Sequence, residues 1–275
     1  MTICVGILAS DGIVIAADAE ESDTYFKRSQ QKILTWNTLQ LNGNSPTQGP
    51  GACVLAGAGD AGFIDAFSHF LLSSVTADLT MQSFEKYVAT QLETFYGKHV
   101  IPLIESVPNA DFQMLIGASF GFSTALFVTY RSTVRRARPN AAIGIGGSFA
   151  LRQMDEFPFC CDVRTTEIVA ANIVATTKDC IEGCGKYTDI VSIHNCSFIE
   201  GKQPGEGSHL EHPQRLVVRV SPLKIAQWER NFGTTWAKRQ RILTQELIAD
   251  ELRNEKESHE ISERQQLDNQ TIEGL

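Results

Sequence analysis

Apolar and β-branched positions dominate the opening of the chain: Ile3-Cys4-Val5-Gly6-Ile7-Leu8-Ala9, then Ser10-Asp11-Gly12, then Ile13-Val14-Ile15-Ala16-Ala17. An Asp-Gly pair between such runs predicts a hairpin, and strands this continuously apolar are expected to be covered on both faces. Asp18 then ends a buried strand. A carboxylate there needs a partner, because an unpaired desolvated charge costs several kcal/mol. Lys32, in Gln31-Lys32-Ile33-Leu34, is the nearest apolar-flanked cation. It heads what reads as a further strand, which can return beside the first and aim its ammonium at Asp18.

Helical spacing takes over after Asp60, a candidate N-cap, with Phe63, Ile64, Phe67, Phe70 and Leu71 in one stripe. A second helix is expected from Thr80, with Phe84, Val88, Leu92 and Phe95 inward and an end near Pro102 or Pro108. Strand-like runs follow at 112–118, 124–130, 132–137 and 141–145. Helices are expected again from Ser148 and from Thr165. In the latter, Ile168, Asn172, Ala175 and Asp179 share a face, which places Asp179 partly inward. A last strand is expected over 187–195.

Hairpin, two helices, strands, two helices and strand predict an α+β fold: a four-layer αββα sandwich of two facing sheets with helices on both outer sides. The expected core domain spans 1–200. A connecting segment with a strand-like run at 215–220 fills 201–222, and a helical extension with a polar tail fills 223–275. In the extension Ile225, Trp228, Phe232, Trp236, Leu243, Leu247 and Leu252 recur at helical steps. That stripe must be covered by its own subunit, by a neighbouring one or by a partner.

Composition removes several function classes. At 275 residues and 43% hydrophobic, the chain can bury a full core. A net charge of -8 argues against a nucleic-acid partner. No apolar run reaches membrane-spanning length and no signal-type segment opens the chain, so a cytoplasmic protein without a membrane partner is expected. The 7 cysteines have apolar neighbours and read as reduced core thiols. Cys180 and Cys184 lie four apart, but no second pair at zinc spacing follows. No histidine shows ligand spacing, so neither metal nor cofactor is expected. Gly144-Ile145-Gly146-Gly147 lacks the dinucleotide fingerprint. Arg131, Arg135, Arg136 and Arg138 read as a solvated strand and turn.

Thr2 brings in chemistry. With Met1 removed, its hydroxyl and its own α-amine, of reference pKa roughly 7.7 to 8.0, put nucleophile and general base on one residue. Small second residues also follow initiator methionines for ordinary reasons, so Thr2 acquires meaning only from its company. Opening threonine, hairpin to Ala16-Ala17-Asp18, and Lys32 at the head of another strand together resemble the β-type subunits of the proteasome and their HslV-type relatives, within the N-terminal nucleophile hydrolases. The likeness covers about residues 2–200.

That resemblance implies further roles. Gly57, in Leu55-Ala56-Gly57-Ala58-Gly59-Asp60, would give its N–H to the oxyanion; Leu55 and Gly59 would face substrate, Leu55 hinting at an apolar or small residue before the cut. Asp179, in Lys178-Asp179, would orient the amine, and the charge of Lys32 would favour the alkoxide. The chain departs from the pattern at Ile145 and Glu182, where serines stand near the amine, at Glu20, where an arginine often follows, and at 36–51, an enlarged turn. The implied protein is a threonine-type endopeptidase acting on peptides or unfolded proteins, in a homo-oligomeric ring that an ATP-driven unfoldase would feed. Ile145 and Glu182 favour instead a catalytically degenerate ring or scaffold subunit. A transpeptidase or amidase would use the same acyl-enzyme, and a dedicated binding module is the last alternative.

Overall fold

Ile3–Ala9 (β1) and Gly12–Asp18 (β2) pair antiparallel, with Cys4 opposite Ala17 and Ala9 opposite Gly12, so the hairpin turns on Ser10 and Asp11. Gly12 belongs to the strand because the neighbouring backbone comes close: a Cβ there would stand 2.0 Å from the Ile193 carbonyl oxygen. Asp11 does more than turn the chain; its carboxylate accepts the Val163 N–H at 2.7 Å. These elements come from a computed structural model. It describes residues 2–22, 27–29, 32–37, 51–73, 75, 79–104, 111–120, 123–156, 161–185, 187–195 and 215–231.

A short antiparallel ribbon, Glu20–Ser22 (β3) and Lys27–Ser29 (β4), follows the hairpin. Three residues a strand are too few for a periodicity signal. Next come Ile33–Asn37 (β5), Ala52–Gly59 (β6), the helices Ala61–Ser73 (α1) and Met81–Phe95 (α2), then Phe112–Phe120 (β7), Ser123–Tyr130 (β8) and Thr133–Ala137 (β9). Asn140–Gly144 (β10), the helices Gly147–Met154 (α4) and Val163–Cys180 (α5), Thr188–Asn195 (β11) and Arg215–Arg219 (β12) complete the order. Between α2 and β7 lies a short helix, Ile101–Ile104 (α3).

Strands form two five-stranded sheets, ordered β10-β1-β2-β11-β12 and β5-β6-β7-β8-β9. Every neighbouring pair in both is antiparallel. Side chains alternate across each strand and so feed separate cores. Cys4, Ile15 and Ala17 join Ile33, Val54, Ala56 and Leu115 in one cluster shared by the sheets, whereas Ile3, Val5, Val14 and Ala16 pack with Ala150, Ala170 and Val174 of the helices. On the other sheet, Leu55, Met114 and Phe127 pack with Phe67, Leu71, Phe84 and Val88 of α1 and α2. The described chain is therefore a mixed α/β structure of two antiparallel sheets with helices against them.

Helix boundaries reflect local chemistry. Asp60 caps α1 by accepting the Phe63 N–H at 3.1 Å, as its position predicts. Thr80 and Ser83 form a reciprocal capping box on α2. The chain does not stop at Pro102: a π-helical turn over Tyr96–Val100 leads into α3, with Pro102 near its start, where a missing N–H is tolerated.

The face expected on α5 is buried at Asn172 and half-buried at Ala175 but exposed at Ile168 and Asp179, because the helix turns a different face inward. Its buried positions include Val163, Glu167, Ala170, Val174 and Thr177, at steps of three and four. Asp179, two residues beyond Thr177, points elsewhere and is exposed.

By contacts the chain divides into Met1–Trp228 and Glu229–Leu275. In the first unit β12 pairs with β11, and Ile225, on a helix over 222–231, is buried in the cluster with Val220. The stripe from Phe232 to Leu252 lies outside the described residues, as does most of the enlarged turn expected at 36–51, of which Trp36 and Asn37 belong to β5.

Candidate active site

Three strand ends converge. Thr2 immediately precedes β1, Asp18 closes β2, and Lys32 immediately precedes β5. The Lys32 ammonium donates to the Thr2 hydroxyl oxygen at 2.9 Å and to Asp18 Oδ1 at 3.0 Å. Asp18 is 0% exposed and Lys32 11%. A carboxylate so fully removed from water needs hydrogen bonds as well as an opposite charge. It has them: Oδ1 also accepts the Ile3 N–H at 3.0 Å, and Oδ2 accepts the Gly185 N–H at 2.7 Å. The result is a fixed ammonium at hydrogen-bond distance from a threonine oxygen, where negative charge forming on that oxygen would be met directly.

Glycines shape the surroundings. Gly144 pairs with Ile3 and has φ +86; a Cβ there would lie 2.1 Å from the Thr2 carbonyl oxygen. Only glycine lets the chain pass so close to Thr2. Gly146 sits by Ile3 and Cys184, where a Cβ would come within 3.2 Å and 3.3 Å of their side chains. Between them Ile145 is 56% exposed. The glycine run therefore passes beside residue 2, with Gly144 as its close approach.

Gly57 is on β6 opposite Met114, and its carbonyl accepts the Cys4 thiol at 3.4 Å, two residues along from Thr2. A Cβ on Gly57 would meet Ile64 Cγ2 at 2.4 Å. The β7 ladder follows β6 to Gly59, while the β5 ladder stops at Ala56. Among the described residues, the main chain of 57–59 therefore has no strand partner on its β5 side. Gly59 is exposed, with φ +117. Leu55, by contrast, is 1% exposed and belongs to the core beneath α1 and α2. It offers no open surface to a ligand.

Asp179 does not join the cluster, being exposed in the last turn of α5. Its neighbour Lys178 donates at 2.7 Å to the hydroxyl of Thr188, which is the strand partner of Asp18. What the sequence did not reveal is the loop after α5. Gly185 clamps Asp18 through a main-chain amide, and no side-chain pattern announces an amide donor. Cys184 precedes it; burial pushes its thiol pKa up, and the charge of Asp18 adds to the shift. Burial does the same to Cys4, again with Asp18 adding. Among the described residues no group of three or more His, Cys, Asp or Glu is placed to hold a metal ion, and no helix is long and apolar enough to cross a membrane.

No protein-family model matches the chain, and no curated protein does. Solved structures do. The Anbu complex from Pseudomonas aeruginosa, described as a helical assembly, superposes with a TM-score of 0.64 at 14% identity, over 87% of this chain and 95% of that one. A mutant of Anbu from Hyphomicrobium sp. strain MC1 gives 0.64 at 16%, over 88% and 95%. Anbu, the ancestral beta-subunit, from Yersinia bercovieri gives 0.61 at 13%, over 86% and 95%. The assignment to proteasome β-type and HslV-type subunits is corrected accordingly: the similar structures are Anbu chains. Thr2, Asp18 and Lys32 describe a site, and a site does not specify which of the chains sharing a fold carries it. At these identities the likeness establishes the fold alone.

Proposed function

We propose that the chain is an amide-bond hydrolase of the N-terminal nucleophile kind, a threonine-type peptidase whose nucleophile is the Thr2 hydroxyl. The α-amine of Thr2 becomes the base once whatever precedes it is removed. One observation carries this reading: the Lys32 ammonium stands 2.9 Å from Thr2 Oγ1 and 3.0 Å from Asp18 Oδ1.

The steps follow from those positions. Thr2 Oγ1 attacks the substrate carbonyl carbon while its proton passes to the free α-amine. Lys32 stabilises the developing alkoxide, and Asp18 holds the ammonium in place at 3.0 Å. The tetrahedral oxyanion takes the Gly57 N–H, a donor of a kind worth roughly 3 to 4 kcal/mol of barrier. The protonated α-amine then gives its proton to the departing amine as the C–N bond breaks, leaving an ester on Thr2. Water attacks that ester, the α-amine again accepting the proton; the acyl C–Oγ1 bond then breaks, the α-amine returns the proton to Oγ1, and the acid product leaves. Residues 57–59, which among the described residues have no strand partner on the β5 side, suit an extended peptide. Asp179 has no step in this scheme.

The three apolar clusters support reading the architecture as the expected αββα sandwich. Helical assembly of the Pseudomonas Anbu complex supports self-association of this chain; peptides or unfolded proteins are the substrates that a threonine nucleophile of this kind would take. A non-catalytic scaffold is the second reading, favoured by Ile145, an apolar side chain in the glycine run beside Thr2. Mass spectrometry separates the two. An adduct of a peptide electrophile on Thr2, absent from Thr2→Ala, supports the enzyme; a free Thr2 that stays unlabelled supports the scaffold.

A further inference from the structure

Arg219 lies on β12, the outer strand of the first sheet, yet its side chain reaches the second. Nη2 donates to the main-chain carbonyl of Ile33 at 2.7 Å, and Nη1 pairs with the carboxylate of Asp189 on β11. Ile33 opens β5, the outer strand of the other sheet, and directly follows Lys32. One guanidinium thus bridges the two sheets where Lys32 enters the site. Its rigid fork suits the task, since one edge satisfies a carbonyl and the other a carboxylate.

The Lys32 ammonium sits on a flexible stem, so contacts of 2.9 Å and 3.0 Å persist only if the backbone beneath that stem is fixed. Strand pairing holds residue 33 on its β6 side, through Ala56, and the Arg219 guanidinium adds a hold on its carbonyl from the other sheet. We infer that Arg219 is a positioning residue for Lys32, which makes β12, beyond the expected core boundary at residue 200, part of the catalytic apparatus. The catalytic consequence rests on the reading of Thr2 as nucleophile. The positional claim rests on geometry.

Arg219→Ala and Arg219→Lys in the full chain test it with two readouts: the rate of Thr2 acylation by a peptide electrophile, and the rate of Lys32 acetylation resolved by peptide mapping. Melting temperature serves as the control. Arg219→Ala should slow Thr2 acylation about tenfold or more, as small misplacements at reacting groups do. It should also speed acetylation of Lys32, with Arg219→Lys between it and the wild type and melting little changed. Both rates unchanged in Arg219→Ala would overturn the inference, as would losses that merely follow lowered melting equally in both variants. If wild-type Thr2 takes no label, the reading of Thr2 falls. Lys32 acetylation then decides the positional claim by itself: faster in Arg219→Ala upholds it, unchanged rejects it.

Discussion

Lys32→Ala would leave the Asp18 carboxylate buried with, among the described residues, the amides of Ile3 and Gly185 as its donors. Removing one partner of a buried pair typically costs 3–5 kcal/mol, and the two remaining donors put this case near about 3 kcal/mol. A urea-unfolding midpoint lowered by that amount is expected; an unchanged midpoint would mean that Asp18 does not depend on its ammonium. Cys184 gives a pH-dependent prediction. Burial and the charge of Asp18 raise its thiol pKa, so thiolate is scarce at neutral pH and grows as pH rises. Alkylation followed by peptide mapping should therefore show the exposed Cys180 modified first and Cys184 gaining rate steadily into the alkaline range. The Asp18–Lys32 pair was legible because a carboxylate ending an apolar strand demands a cation. Asp179 was misread because a phase error on a helix turns a side chain from the core to solvent, and Gly185 gave no signal because its contribution is a main-chain N–H.

Elements hold these residues through close approaches that a single methyl group would disturb. Gly57→Ala places a Cβ 2.4 Å from Ile64 Cγ2, forcing α1 away from β6. Overpacking of this kind costs about 1–3 kcal/mol. The double variant Gly57→Ala/Ile64→Ala should recover part of that loss, because removing the atoms Ile64 carries beyond Cβ vacates the space. A denaturant-unfolding cycle over the two sites checks it, and strict additivity would show that the two residues do not touch. Most strands and helix starts could be read from periodicity and caps, the helix beginning at Thr80 and the Asp60 cap among them, whereas the reciprocal box that Ser83 completes emerged only in the structure. The helical path through Pro102 could not, since the π-helical turn that leads to it has no marker in the sequence. Nor could β3 and β4, whose pairing is too brief to show a period.

At the scale of the molecule, the alternation of each strand divides its side chains between two cores, and the sheets come together so that the ends of β1 and β2 and the head of β5 share one place. That convergence follows from topology, and the order of Thr2, Asp18 and Lys32 already pointed to it. The same residues led past the fold to a particular family, and there the likeness to Anbu structures corrects it: site residues are constrained by chemistry, while the surfaces that distinguish related chains are not. The account stands on Thr2 acting as a nucleophile beside Lys32. Its most direct test is mass spectrometry of the protein after reaction with a peptide electrophile, with the adduct mapped to a residue. The account predicts a single adduct on Thr2 bearing a free amine, lost in Thr2→Ala and slowed at least about a hundredfold in Lys32→Ala, where the charge facing the alkoxide is gone. Label on another residue, or equal labelling of Lys32→Ala and the wild type, would contradict it.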